Sequence, residues 1–330
     1  GMAVMATALV GCSSNDNLAP DGNGGNKDGA AYASFTINLP TTRATRVAGD
    51  PTFAEGDAKE YEVKNGTILI FTNDGKFVTS AQLGNMNPWK DIKTDGVTTA
   101  ATATVQLTGV EVGGNYQALV LLNNDVDGAP SKVTLPTSGE SYASWNAKAE
   151  NATAAYTNTD YIFMANAPKY TGTSTEPTTL VPVANICASR EQAEAKAATT
   201  VYVERGLAKV TMQKFNDDGY AIAAGTYEGA KVEIKKWQLD VTNKSTFPVH
   251  QTGGLMTSWA EIWNTPRFYD QTSTAFKRVY WGIDPNYNNS DYQTLVNCKT
   301  AFNMITKDKV VGEAGNTHPQ YCLENTFDLD

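Results

Sequence analysis

The sequence predicts a mostly β protein made of two β-sandwich (transthyretin-like) domains, the second of them incomplete. Three observations carry that expectation. Short apolar segments alternate with polar residues or run continuously, Gly/Asn/Asp turn chemistry separates them, and only one stretch carries helix signals. A length of 330 residues fits two domains at a soft prior of roughly 150 residues each. Hydrophobic content of 41%, with 10% aromatic, is enough to fill a core. The net charge of −9 argues against nucleic acid as a partner, which wants a basic face.

The elements follow in chain order. Residues 1–30 read as a signal-peptide remnant, a lipobox and a flexible tether. The apolar run Met2 to Val10 ends in Val10-Gly11 directly before Cys12. Small residues there open the backbone to a signal peptidase, and the Cys12 thiol is the expected lipidation site. The run is only about half a normal signal length and lacks a basic start, so the chain reads as clipped at its N-terminus. Ser13 to Ala30 is Gly, Asn and Asp with little to bury.

A first strand is expected over residues 31–40. Ala33, Phe35, Ile37 and Leu39 alternate with polar neighbours, giving it one apolar face, and Pro40 closes it. The following loop, Thr41 to Pro51, is made of small residues around Arg43 and Arg46. Ile68-Leu69-Ile70-Phe71 then leads through Asn73-Asp74-Gly75-Lys76 to Phe77-Val78, a hairpin with the Asp-Gly chemistry that permits positive φ. Val105-Gln106-Leu107 and the continuous run Tyr116 to Leu122 are further strands, the latter suited to burial on both faces. Tyr161 to Met164 is a shorter one. Ser189, three residues before Gln192, opens a capping-box helix running to Ala198, read as the bridge between the halves.

These signals divide the chain into an N-terminal sandwich at residues 31–198, with a removable first strand, and a second sandwich at 199–330. The second half restarts at Val201-Tyr202-Val203-Glu204-Arg205 and Lys209-Val210-Thr211-Met212. From Val232 to Val241 the apolar phase slips by one at Lys235-Lys236, as a β-bulge would cause.

Catalytic chemistry is not legible. The sequence holds only two histidines, His250 and His318, and no HExxH or nucleophile-elbow motif. Asp284-Pro285-Asn286-Tyr287-Asn288 imitates the start of a calcium loop, but Asn289 stands where that loop needs Gly and Leu295 where it needs Glu. No catalytic residue, metal or cofactor is therefore assigned, apart from the lipid at Cys12. Cys187, Cys298 and Cys322 lack CxxC spacing and read as small apolar residues, with one disulfide possible among them. Trp259, Trp263, Tyr269 and Tyr280-Trp281 would suit a sugar-stacking platform only if they lay exposed on one face.

The order of anchor, tether, strand and arginine-bearing loop has a physical consequence. Cleavage after Arg46 or Arg43 would discard the lipid and the first strand together. The remaining sandwich would present an apolar groove with unpaired backbone, a template for another strand. A contact of that kind is head-to-tail and does not close on itself, so it propagates as a filament.

Spaced patches then resemble one family. They are the lipobox at Cys12, Arg46 followed by Val47-Ala48-Gly49-Asp50, and the strand ending Leu121-Leu122-Asn123. With them stand Val203-Glu204-Arg205-Gly206-Leu207-Ala208-Lys209-Val210 and Tyr321-Cys322-Leu323-Glu324-Asn325-Thr326-Phe327. Their order is similar to that of the fimbrillins, the type V pilins of Bacteroidota, including the minor fimbrillins. The resemblance implies lipoprotein export to the outer membrane and removal of the N-terminal segment by an arginine-specific protease. It implies polymerisation with other pilin subunits by strand exchange, in a cell-surface fimbria that supports adhesion to host or bacterial surface ligands. It also implies a longer C-terminus bearing the donor strand, so the chain reads as truncated at both ends. A pilus tip or anchor protein, or a surface glycan-binding lipoprotein, are the alternative expectations.

Overall fold

The computed structural model describes residues 30–40, 58–84, 90–94, 97–125, 131–151, 161–168, 178–212, 219–251, 280–283, 302–304, 312–313 and 315–323. The fold is mostly β, as the alternation and turn chemistry predict. Its N-terminal elements are β1 (Ala31–Pro40), α1 (Ala58–Tyr61), β2 (Gly66–Thr72), β3 (Phe77–Gln82), β4 (Lys90–Thr94), β5 (Val97–Leu107) and β6 (Tyr116–Leu122). They continue with α2 (Tyr142–Asn146), β7 (Glu150–Asn151), β8 (Met164–Asn166), β9 (Val181–Pro182), α3 (Arg190–Ala195) and β10 (Thr199–Arg205).

One large sheet dominates, in the order β3-β2-β6-β8-β10-β1-β5-β4, with β9 also paired to β6. It curls around an inner core. Phe35, Ile37 and Leu39 of β1 meet Ile68 and Ile70 of β2, Val105 and Leu107 of β5, Val120 and Leu122 of β6, and Val201 and Val203 of β10. Near the closure, the hydroxyls of Thr79 on β3 and Thr108 just after β5 lie 3.2 Å apart.

The β2–β3 hairpin turns where expected. Gly75 takes φ 81°, a conformation a residue with Cβ adopts at a cost, and Gly75 N donates to Thr72 O at 2.9 Å. β2 and β6 are buried on both faces. Their odd-numbered residues Leu69, Phe71, Leu119 and Leu121 enter a second core with Val133, Trp145, Phe163, Val249, Trp281 and Leu323. Continuous apolar runs reflect this arrangement, since successive side chains enter opposite cores.

α2 and α3 both start on serine caps. Ser141 accepts from Ser144 N at 3.1 Å, and Ser189 accepts from Gln192 N at 3.3 Å. α3 ends at Ala195, before the expected Ala198, because Lys196 is already extended.

The remaining strands are β11 (Ala208–Met212), β12 (Tyr220–Ala221), β13 (Lys231–Val232), β14 (Lys236–Trp237), β15 (Thr242–Asn243), β16 (Ser245–Gln251), β17 (Tyr280–Gly282), β18 (Phe302–Asn303), β19 (Gly312–Glu313) and β20 (Gly315–Cys322). They form small sheets: β11 with β20, β12 with β13, β14 with β19, β15 with β18, and β16 between β17 and β7. The expected bulge at Lys235-Lys236 is instead a change of partner. β13 pairs with β12 and β14 with β19, so the phase slip marks the end of one strand and the start of another.

Two links join the sequence halves. β10 sits inside the large sheet, parallel to β1 and antiparallel to β8, so strand pairing crosses the expected 198/199 boundary. β16 and β17 supply Val249 and Trp281 to the second core.

Candidate functional site

β1 occupies a two-sided slot. Against β5 it pairs antiparallel along its length, from Ala31↔Leu107 to Pro40↔Val97. Against β10 it pairs parallel, from Phe35↔Thr199 to Asn38↔Tyr202. Nearer its start, Tyr32 and Cys187 exchange a pair of backbone hydrogen bonds, each 2.8 Å. The most N-terminal strand of the described residues is thus an interior strand.

The alternation predicted from sequence is present in the side chains. Ala33, Phe35 and Ile37 are fully buried and Leu39 is 3% exposed, joined by Ala31. Burying Phe35, Ile37 and Leu39 contributes about 5–9 kcal/mol, at roughly 1.5–3 kcal/mol for each large apolar side chain. That is of the order of a whole domain's net stability, about 5–15 kcal/mol. Taking β1 away would leave the facing N–H and C=O groups of β5 and β10 without partners and open the inner core to water. Cys187, buried and free, lies on the same margin.

The remaining sequence-predicted positions divide plainly. Cys12, Arg43 and Arg46 lie outside the described residues, as do the calcium-like segment from Asp284, and Trp259, Trp263 and Tyr269. Trp281 is 1% exposed, which removes it from a sugar-stacking platform; its ring packs edge-on against Phe163 and His250 instead. Tyr280 is half-buried beside Phe247. Cys322 is half-buried at the end of β20.

Two polar clusters escape sequence reasoning. In the first, His250 Nε2 lies 2.8 Å from Thr179 Oγ1, and its Nδ1 lies 2.6 Å from Glu204 Oε1 without hydrogen-bond alignment. Trp281 Nε1 donates to the same Glu204 oxygen at 3.2 Å. Asn146 of α2 donates to His250 O at 3.1 Å and accepts from Val249 N at 2.8 Å, tying α2 to β16. Desolvation pushes the nearby Tyr142 phenol well above the ordinary tyrosine range.

In the second cluster, Glu60 of α1 accepts from Lys209 Nζ at 2.8 Å and from the Tyr321 hydroxyl. Burial pulls the neighbouring Arg205 guanidinium below its ordinary range, and the charge of Glu60 opposes that shift. The patches 203–210 and 321–323 therefore meet in space, through the pairs Ala208↔Cys322 and Lys209↔Tyr321. Charged residues at the end of an otherwise alternating apolar strand, Glu204 and Arg205, were the one sequence signal for these contacts. Among the described residues no group of three or more His, Cys, Asp or Glu side chains is placed to hold a metal ion.

No protein-family model and no curated protein sequence matches the chain. Several solved structures are similar in outline. A fimbrial assembly protein from Parabacteroides distasonis is 14% identical, with 90% of this chain and 96% of that one covered and a TM-score of 0.39. A candidate cell adhesion protein from the same species is 10% identical, with 92% and 73% covered and a TM-score of 0.44. A candidate adhesin from Bacteroides thetaiotaomicron is 10% identical, with 62% and 53% covered and a TM-score of 0.32. Identities this low, with TM-scores below 0.5, assign neither family nor function to this chain.

Proposed function

We propose that this chain is a structural subunit of a cell-surface fimbria, and that β1 is a placeholder strand surrendered during assembly. The observation that carries the reading is the place of β1. It is an interior strand, paired on both flanks and buried along its inner face, yet it is joined to the rest of the chain through a segment containing Arg43 and Arg46. A lipid at Cys12 holds the precursor on the outer membrane. An arginine-specific protease cuts after Arg46, or after Arg43, and β1 leaves with the lipid. A strand of the next subunit then fills the slot, restoring both ladders and the inner core. Repetition of this contact builds a head-to-tail polymer that carries adhesion to surface ligands.

The reading is tested with the full chain. Limited cleavage by an arginine-specific protease should nick the 41–51 segment while the β1 fragment stays bound. Excess labelled peptide AYASFTINLP should then exchange into the nicked protein. Cys187 should resist alkylation in the nicked complex and become reactive as the fragment is lost, read by mass spectrometry of the Cys187 peptide. A nicked protein that sheds β1, keeps Cys187 protected and takes up no peptide would sink the proposal.

A further inference from the structure

β1 is enclosed on its outer face as well as its inner one, and the outer enclosure is polar. α3 lies across β1 and β5. Arg190, its first residue, donates from Nη1 to Thr104 O of β5 at 2.7 Å, and its guanidinium sits 5.6 Å from the Tyr32 ring centre on β1. Further along the helix, Ala193 is 1% exposed and presents its carbonyl to Ser34. The Ser34 hydroxyl donates to Ala193 O at 3.0 Å and lies 2.6 Å from Thr104 Oγ1, the residue opposite it in register.

Each of those contacts has a physical reason. The last four carbonyls of a helix lack an intrahelical donor, and Ala193 O belongs to that set in α3. Ser34 satisfies it. Ser34 is only 7% exposed, so its hydroxyl is a buried polar group with both roles filled: it donates to Ala193 and accepts from Thr104. Thr36, two residues along on the same face, offers the contrast. Its hydroxyl lies 2.9 Å from Thr102 Oγ1 as an exposed pair.

We propose that the α3 roof makes the slot selective on its outer face, so that an incoming strand must carry a small hydroxyl residue at the position of Ser34. This rests on the reading above that the slot accepts a strand in trans. The partner is then a β-strand of a neighbouring subunit with the pattern apolar-Ser-apolar-x-apolar-x-apolar, matching Ala33 to Leu39. A bulky residue at the serine position has to lift α3 or distort the strand. An alanine there leaves the Ala193 carbonyl buried without its donor.

The same nicked protein tests the selectivity with variant peptides. Relative to AYASFTINLP, Ser34→Leu should bind at least about tenfold more weakly, from overpacking beneath α3. Ser34→Ala should lose about five- to tenfold, from the unsatisfied carbonyl. Thr36→Leu should stay within about twofold, because its half-buried side chain ends in an exposed hydroxyl pair. Equal binding of the Ser34→Leu peptide, or an equal loss with Thr36→Leu, overturns the selectivity while leaving strand exchange standing. If no peptide enters, the parent sequence included, the exchange reading falls and takes the selectivity with it.

Discussion

Phe35→Ala should lower the unfolding free energy by about 3–5 kcal/mol, while Thr36→Ala on the neighbouring position should cost under about 1 kcal/mol. Phe35 is fully buried in the inner core, opposite Ala103 on β5 and Thr199 on β10. Truncating it removes the transfer energy of the ring and leaves a cavity bounded by strands on both flanks, which cannot close in easily. Thr36 points to the other face and offers an exposed hydroxyl pair with Thr102. Urea unfolding of the two variants measures the contrast through the midpoint, at unchanged slope. Similar midpoints for both would mean that β1 does not pack as described. A cost of the expected size also bears on assembly, because it makes an empty slot short-lived. Departure of β1 then has to be coupled to arrival of a replacement.

Glu60→Ala should be the second large effect, about 3 kcal/mol, and for a different reason. The Glu60 carboxylate is 4% exposed and faces Lys209, Arg205 and the Tyr321 hydroxyl. Removing the carboxylate takes a partner from Lys209 and from the Tyr321 hydroxyl, and breaking a buried ion pair costs more than the pair itself contributes. The double variant Glu60→Ala/Lys209→Met should recover part of the loss, since it removes the other half of the ion pair as well. Thermal or urea unfolding of the two variants side by side decides the matter. A double variant no better than the single one would show that Glu60 matters for packing rather than charge. The cluster joins α1, near the start of the large sheet, to β11 and β20, so its loss should loosen the second half before the first.

The local pattern of the sequence made several elements legible. Alternation over Ala33 to Leu39 located β1 and its buried face, and the Asp-Gly pair located the β2–β3 turn. The unbroken run at Leu119 to Leu122 announced burial on both faces, which the two cores explain. What stayed hidden depends on pairing between distant segments. Nothing local in Thr199 to Arg205 says that it lies parallel to β1, because the partner is set by tertiary packing rather than by period. Trp281 and His250 were unreadable for the same reason: an aromatic or a histidine carries no mark of burial until the elements around it are in place. Ser34 was equally silent. It looked like one polar residue among the alternating positions, and its importance comes from α3, which lies far along the chain.

The central claim, that β1 is discarded on assembly, is tested most directly by the N-terminus of the protein as it stands on the cell surface, by intact mass and N-terminal sequencing. A chain beginning at Val47, or at Ala44, is the expected result. Assembled protein that still carries residues 31–40 behind a diacylated Cys12 would contradict it, and β1 would then be a permanent strand of an anchored surface protein.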